Sequence, residues 1–359
     1  MPSLKAFLRA DTPDRILSRS VIPLAVCCLA LLPAPAPAES LGAFERCLMD
    51  AMQTADDAVT MGALRRRCRQ ADAGETTAAA GSTGSPKGSK PGALADRLEG
   101  ERTNALEPFT LMAHRPNYFL FASYNASGIN PEPYRVQSND PSIAMDNTEA
   151  KFQISIKTPL AVGLFDDRVD IFAAYTNRSF WQVYNDDQSS PFRESDHEPE
   201  LWLQVRNDWQ IFGFTNRISA FGINHQSNGR GGVLSRSWNR LFADFVFERR
   251  DLAFSLSPWY RIPEDSDDDD NPDITDYMGH FEFRSAYKRG RNTFSLMLRN
   301  NVESGFRRGT VELGWSFPLW EYKFFKGYIQ YFNGYGESLI DYDQHANSIG
   351  AGLLLTDWL

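Results

Sequence analysis

Short runs of residues with a period of two fill the sequence from about Pro108 to its end. Apolar and aromatic residues alternate with polar ones in these runs, as they do in a β-strand whose two faces meet different surroundings. In the run 311–317, for example, every odd-numbered residue is apolar and every even-numbered residue is polar or glycine. We predict twelve strands, near residues 117–125, 149–158, 168–177, 199–208, 215–227, 239–249, 251–262, 277–288, 291–300, 308–317, 322–333 and 346–358.

The connections between these strands alternate in length. Residues 249–251 and 288–291 form tight turns, whereas 126–148, 178–198, 263–276 and 334–345 are long and polar. An even number of strands with short turns at one end and long loops at the other is typical of an outer-membrane barrel. A soluble β-sandwich is the alternative, but a last strand that runs to the chain end, with Trp358 near the terminus, favours the barrel. The sequence therefore predicts an all-β fold, a 12-stranded antiparallel transmembrane β-barrel over residues 108–359.

The hydropathy of the chain agrees with this architecture. The longest uncharged apolar run, Val21–Leu32, has about half of the roughly 20 residues that a spanning helix needs, which excludes a bundle of membrane helices. The mean hydropathy of -0.41 does not exclude a barrel, because polar residues that face the lumen alternate with those that face lipid.

Residues 1–38 have the features of a secretory signal. Basic residues precede the apolar run, and a small-x-small site ends at Ala38, so we predict cleavage before Glu39. A lipid anchor at Cys27 is the alternative, although Val26 fits a lipobox poorly. Removing residues 1–38 changes the formal charge from -9 to -11, and such an acidic chain is not expected to bind nucleic acid.

Two cysteines remain in the exported chain, Cys47 and Cys68, and a disulfide between them is the default interpretation. The segment from Phe44 to Arg69 has a helix-like composition, so residues 39–75 are predicted to form a small helical segment stapled by this pair. Residues 76–107 are predicted to be a flexible linker, since 76–92 are rich in Gly, Ser, Thr and Ala.

Three polar residues mark the hairpin formed by the fifth and sixth strands. His225 and Ser227 are two residues apart and therefore lie on one face, with Cα atoms about 6.5 to 7 Å apart. If residue 225 faces Asn239, the same register places Ile223 opposite Leu241, and the polar patch continues an apolar stripe that faces lipid.

A serine, a histidine and an amide on a membrane-facing wall are suited to cleaving acyl esters. An asparagine there costs less to desolvate than an ionised aspartate, but it stabilises an imidazolium less, so another positive element is expected near the oxyanion. The plain alternative is a hydrated strand end without chemistry. The other histidines, His114, His197, His280 and His345, are expected to be surface or lumen residues.

Several motifs resemble those of the bacterial outer-membrane phospholipase A family. They are HQSNGR at 225–230 with SRSWNR at 235–240, SSPFRE at 189–194, DNPDIT at 270–275 with YMG at 277–279, and GYGESLIDY at 334–342. The resemblance spans residues 108–359 and leaves 39–107 outside it. It implies an enzyme of the bacterial outer membrane that is active as a calcium-dependent homodimer and hydrolyses phospholipids and lysophospholipids at A1 and A2 positions. It also implies that the N-terminal segment and the C-terminus are periplasmic and that the active site lies near the extracellular side.

The resemblance also implies roles for single residues. Ser227 would be the nucleophile, His225 the base and Asn239 its orienting partner, with Gly229 in the oxyanion hole. One Ca2+ per active site would lie at the dimer interface. Its ligands would be the Arg230 carbonyl and Ser235 hydroxyl of one subunit and the Ser189 carbonyl of the other.

The sequence departs from the family at several positions. Asn177 stands where the family has a glutamine that makes a dimer contact, so this contact is expected to be shorter or lost. Gly232 removes an acidic ligand from a second calcium site to which Asp270 would contribute, and that site is in doubt. The acidic run 264–270 is interpreted as a solvated loop, with cation binding as the alternative. The competing hypothesis for the whole chain is a catalytically silent barrel that acts as a porin or as a lipid-binding or adhesion protein.

Overall fold

The computed structural model describes Cys47 and residues 92–301, 304–305 and 307–359. The chain divides into two units, Met1–Gly88 and Ser89–Leu359. The predicted signal peptide 1–38, the rest of the segment 39–75 and residues 76–91 lie outside the described residues. Cys47 is disulfide-bonded, and its predicted partner Cys68 also lies outside them.

Twelve long antiparallel strands form the second unit. They are β1 (Asn117–Asn125), β2 (Thr148–Gly163), β3 (Val169–Trp181), β4 (Phe192–Arg206), β5 (Phe214–Ser227), β6 (Ser237–Arg249), β7 (Leu252–Ile262), β8 (Phe281–Arg289), β9 (Asn292–Asn300), β10 (Gly309–Pro318), β11 (Lys326–Gly334) and β12 (Ala346–Thr356). Two strands of two residues, Met112–Ala113 and Gln210–Ile211, extend the sheet beside β2 and β5.

The sheet closes on itself. Each strand pairs with the next along the chain, and β12 pairs with β1, where Ile349 faces Tyr124 and Leu354 faces Tyr118. A closed sheet has no unpaired edge, as a membrane-spanning β-structure requires. The predicted closed 12-stranded antiparallel barrel is therefore confirmed.

The two faces of the wall differ as the period of two predicts. Outward side chains are apolar and exposed, such as Leu313 at 45% and Trp315 at 41%. Inward side chains include charged groups that are buried in pairs. Lys151, which is 1% exposed, lies 3.0 Å from Glu337, and the half-buried Arg115 lies 2.6 Å from the buried Glu198. The outer face is thus suited to lipid and the inner face to ion pairs.

The helix α1 (Ala93–Ala105) fills one end of the lumen. Its Leu98 packs against the inward cluster that contains Trp202, and Glu101 accepts a hydrogen bond of 2.7 Å from Lys157 on the inner face of β2. The prediction that residues 76–107 form a flexible linker is therefore wrong for residues 93–105. The barrel lumen supplies the apolar and charged partners that this stretch lacks in the sequence.

Loops and short helices cover the other end of the barrel. Two short helices lie there, α2 (Glu132–Ser138) after β1 and α4 (Ile274–Met278) after β7. The helix α3 (Leu164–Asp167) lies instead in the tight connection from β2 to β3, at the end that α1 fills, where Arg102 pairs with Asp167. Single 3-10 turns occur at Asp186–Gln188 and Gly232–Leu234. Tyr134 of α2 packs with Leu234 and Ile340, so three long loops meet over the lumen.

In the described part of the chain, no helix has the length and apolar character needed to cross a membrane.

Candidate active site

The hairpin of β5 and β6 has the register that the sequence predicts. His225 faces Asn239, Ile223 faces Leu241, and Phe221 faces Ala243. The predicted register is therefore confirmed. It follows from the alternation of both strands, because a shift by one residue would turn the apolar stripe into the lumen.

The imidazole of His225 is held by the amide of Asn239. Nδ1 of His225 lies 2.8 Å from Oδ1 of Asn239. An amide oxygen only accepts hydrogen bonds, so Nδ1 is the donor and Nε2 of the neutral ring is left as an acceptor. Ser227 lies two residues along β5 and therefore on the same face as His225.

The three side chains are half-buried on the outer wall. Ile223, 51% exposed, and Leu241, 48% exposed, continue this face toward the middle of the barrel. Among the described residues no hydrogen bond joins His225 to Ser227. Catalytic hydrogen bonds of free enzymes are often long and tighten when substrate is bound. The arrangement can thus transfer a proton to and from a substrate that approaches through lipid.

The turn that follows β5 is braced by the buried side chain of Asn228. Its Nδ2 donates to Oε1 of Glu194 at 3.0 Å and to the carbonyl of Leu234 at 2.8 Å. Its Oδ1 accepts from the backbone N–H groups of Arg230 at 3.2 Å and Arg236 at 3.1 Å. Asn228 therefore ties both ends of the turn to each other and to the barrel wall.

Gly229 has a φ of +65°, in the left-handed region that glycine enters without strain. The next residue, Arg230, donates from Nη2 to the carbonyls of Phe192 at 3.1 Å and Arg193 at 2.7 Å. The backbone beside Ser227 is thereby fixed from two sides.

Two of the predicted metal ligands and the doubtful Asp270 come together at this turn. Arg230 and Ser235 lie in the same turn, and Oγ of Ser235 donates to Oδ2 of Asp270 at 2.5 Å. The third predicted ligand, Ser189, lies in the connection between β3 and β4 and has a φ of +57°. Within the described residues there is no group of three or more His, Cys, Asp or Glu that could hold a metal. Carbonyl, hydroxyl and carboxylate oxygens are nevertheless the donors that a hard cation prefers.

His197 lies on the outer surface, one of the two places expected for it, and on the same patch as Ser227. It faces Ser227 across the pair β4–β5, and a Cβ built on Gly229 would lie 3.7 Å from its Cδ2. Tyr175 Oη lies 2.5 Å from its Nδ1, and Nδ2 of Asn177 lies 3.4 Å from the same atom. The sequence missed it because β4 begins at Phe192 and not near residue 199, so His197 lay outside the predicted strand.

Glu264 is the second residue that the sequence missed. Its Oε1 accepts a hydrogen bond of 2.9 Å from Nδ2 of Asn239. Residues 264–270 were interpreted as a solvated loop; Glu264 is half-buried there and its carboxylate also accepts this hydrogen bond. The only signal was its distance of two residues from the end of the predicted strand 251–262.

The barrel is closed, and its outer wall carries a serine beside a histidine that is held by an amide. This combination is typical of a hydrolase that acts at the lipid surface. A family model described as Phospholipase A1 matches residues 94–355, and the chain belongs to this phospholipase A1 family. It is an outer-membrane β-barrel phospholipase, as the resemblance of its motifs implies. The match includes α1 and therefore begins before residue 108, where the resemblance was expected to begin.

Individual relatives support this assignment. The chain is 39% identical over 250 residues to Phospholipase A1 of Klebsiella pneumoniae, which covers 70% of this chain and 84% of the relative. It is similar to the crystal structure of the Salmonella typhi outer membrane phospholipase dimer with bound calcium, with a TM-score of 0.65, 36% identity and coverage of 71% and 96%. Outer membrane phospholipase A from Escherichia coli gives a TM-score of 0.64 at 37% identity and covers 70% of this chain and 100% of that one.

Proposed function

We propose that this chain is a calcium-dependent phospholipase that hydrolyses acyl esters of phospholipids and lysophospholipids at both A1 and A2 positions. Ser227, His225 and Asn239 carry the reaction on the membrane-facing wall. The observation that carries this proposal is the 2.8 Å hydrogen bond from His225 to Asn239 beside an exposed apolar stripe.

The reaction follows from the protonation states that this hydrogen bond sets. Oγ of Ser227 attacks the ester carbonyl while Nε2 of His225 takes its proton, and Oδ1 of Asn239 holds the Nδ1–H of the resulting imidazolium. The C–O bond to the lysophospholipid breaks, and the departing oxygen takes the proton back from His225. Water then attacks the acyl-serine with His225 again as the base, which releases the fatty acid and restores Ser227.

The backbone N–H of Gly229 is placed two residues after Ser227 and would donate to the oxyanion. A Ca2+ ion held by the Arg230 carbonyl, the Ser235 hydroxyl and Ser189 of the partner subunit would supply positive charge beside it. The ligands on this chain are oxygen donors fixed by the braced turn, which fits such an ion. One ion per active site, at the dimer interface, is expected.

A homodimer is part of the proposal, because a convex wall has no pocket for acyl chains. A second barrel against this wall would form clefts beside Ser227. Asn177, with His197 and Tyr175, lies on the same outer face and would contact the partner.

The orientation is also proposed. The site lies beside the long loops, which are extracellular in barrels of this type, whereas the C-terminus lies beside α1 at the short-turn end, which would be periplasmic. The N-terminal segment would accordingly be periplasmic. A passive porin is disfavoured by α1, which leaves a lumen cavity of about 280 Å³ bounded by Leu98 and Glu101.

The test is release of fatty acid by the refolded full chain in detergent micelles, with calcium or with chelator. We expect Ser227→Ala to lose at least a thousandfold in rate, since a missing nucleophile leaves only binding and oxyanion stabilisation. Ser237→Ala, which removes a hydroxyl directly opposite Ser227 in the register, is the matched control. Equal rates for Ser227→Ala and wild type would contradict the nucleophile, and full activity in chelator would contradict the calcium role. Product analysis with different acyl chains at the two positions tests the A1 and A2 assignment.

A further inference from the structure

The position of Glu264 is fixed by the end of β7. Ile262, the last residue of that strand, faces Asn239 of β6. Glu264 follows two residues later, past the strand end, and its side chain lies against Asn239 on this outer face. Its Oε1 lies 2.9 Å from Nδ2 of Asn239, and the side chain is half-buried.

This contact extends the hydrogen-bond chain of the site by one member. Nδ2 of Asn239 donates to Glu264, and Oδ1 of Asn239 accepts from Nδ1 of His225. A carboxylate accepts only, so an inverted amide would place two oxygens against each other. Glu264 therefore fixes the amide in the orientation that His225 needs. Its charge also polarises the amide, which strengthens the second bond of the chain.

Nothing else in the described residues uses this carboxylate. Glu264 has Asn239 as its one hydrogen-bond partner there and makes no ion pair. The other carboxylates of the loop with partners serve different groups: Asp269 pairs with Arg261 at 2.6 Å, and Asp270 accepts from Ser235. A structural role as a loop anchor would not require a charged acceptor at this amide.

We propose that Glu264 is a positioning residue for ester hydrolysis and acts through Asn239 on His225. The inference rests on the proposed function of these residues. It explains how a neutral amide supports an imidazolium on a lipid-facing wall. The negative charge is on Glu264, the next member of the hydrogen-bond chain, which lies beyond the strand end, where a carboxylate keeps part of its hydration.

The first test measures kcat and KM of Glu264→Gln in mixed micelles. We expect kcat to fall about tenfold with KM within about twofold, because a charge-assisted hydrogen bond is roughly twice as strong as a neutral one. Asp265→Asn, which neutralises the adjacent exposed carboxylate, is the matched control and should behave as wild type. Thermal unfolding followed by circular dichroism checks that both variants are folded. Unchanged kcat in Glu264→Gln would overturn the proposal.

A charge swap separates positioning from mere anchoring. In Asn239→Asp two carboxylates face each other, whereas in Asn239→Asp with Glu264→Gln the amide and the carboxylate exchange places. We expect the double variant to be at least tenfold more active than Asn239→Asp alone, and Glu264→Gln to have no further effect in Asn239→Ala. Absence of rescue, or an additive loss in Asn239→Ala, would overturn the proposal. Activity that survives Ser227→Ala would instead reject the proposed function itself, so the two failures are distinguishable.

Discussion

The side chain of Asn228 should determine whether the turn after β5 is ordered. Asn228→Ala removes its four hydrogen bonds, to Glu194, Leu234, Arg230 and Arg236. At about 1 kcal/mol for each bond, the total loss is about 4 kcal/mol. A loss of this size would lower the population of the ordered turn by about a thousandfold at most. Water replaces part of this loss in an exposed turn. We therefore expect the ordered fraction to fall by about ten- to a hundredfold.

The assay is the calcium dependence of fatty acid release. A ligand that binds only the ordered turn has an apparent dissociation constant raised by the inverse of the ordered fraction, so half-maximal activity should need about ten to a hundred times more calcium. Asn216→Ala is the matched control, because Asn216 is also buried and makes four hydrogen bonds, to Asn207, Ile218, Ser219 and Val246. It lies near the start of β5, at the opposite end of the strand from the turn. This variant should lower stability and leave the calcium requirement unchanged. The reasoning is refuted if both variants shift the calcium requirement alike, or if Asn228→Ala shifts nothing.

Three further outcomes are expected. Gly222→Ala would place a Cβ 2.4 Å from the carbonyl oxygen of Leu201 and 2.6 Å from Cβ of Trp202, so urea unfolding in detergent should show a loss of about 1–3 kcal/mol; an unchanged midpoint would contradict this packing. Glu101→Gln removes the charged partner of Lys157 and should loosen α1, which would raise the conductance of the barrel in planar bilayers above that of the wild type. Burial alone would raise the pKa of Glu101, but the attraction and hydrogen bonds of Lys157 and Arg97 together outweigh it and hold this pKa below its ordinary value of 4.5. The anchoring is therefore complete above about pH 4.5 and is lost as the pH falls through the lowered pKa, so wild-type conductance should rise only on that acidification, and Glu101→Gln should not respond.

The fold was predictable wherever one face of a strand meets lipid. Ile223 and Leu241 must both face outward, and this requirement alone determines the register of β5 and β6. The first part of β4 gave no such signal, because Glu194, Asp196 and Glu198 point inward and are satisfied by ion pairs and hydrogen bonds that the sequence does not reveal. Helix α1 was missed for the same reason: its partners are on distant strands.

The candidate site was predictable to the extent that strand parity orients side chains. Parity places His225, Ser227 and Asn239 on one patch, and the structure has that arrangement. Glu264 lies two residues past a strand end, where the backbone is irregular and parity no longer determines the direction of a side chain. His197 was hidden by the late start assigned to its strand.

The distribution of charge around the barrel suggests why the site lies near one rim of the wall. Inside, charges such as Lys151 and Glu337 are buried but paired, so the lumen tolerates them. Outside, an unpaired charge in the hydrocarbon region would be costly, and none of the three side chains proposed for catalysis is a carboxylate. In the proposed mechanism, hydrolysis nevertheless creates an imidazolium and an oxyanion, so opposite charges must lie within reach. Only at the rim can a hydrated carboxylate such as Glu264 and the proposed oxygen-liganded cation lie beside a surface that acyl chains can reach. At mid-membrane depth the same three side chains would meet acyl chains, but neither the carboxylate nor the cation could lie beside them.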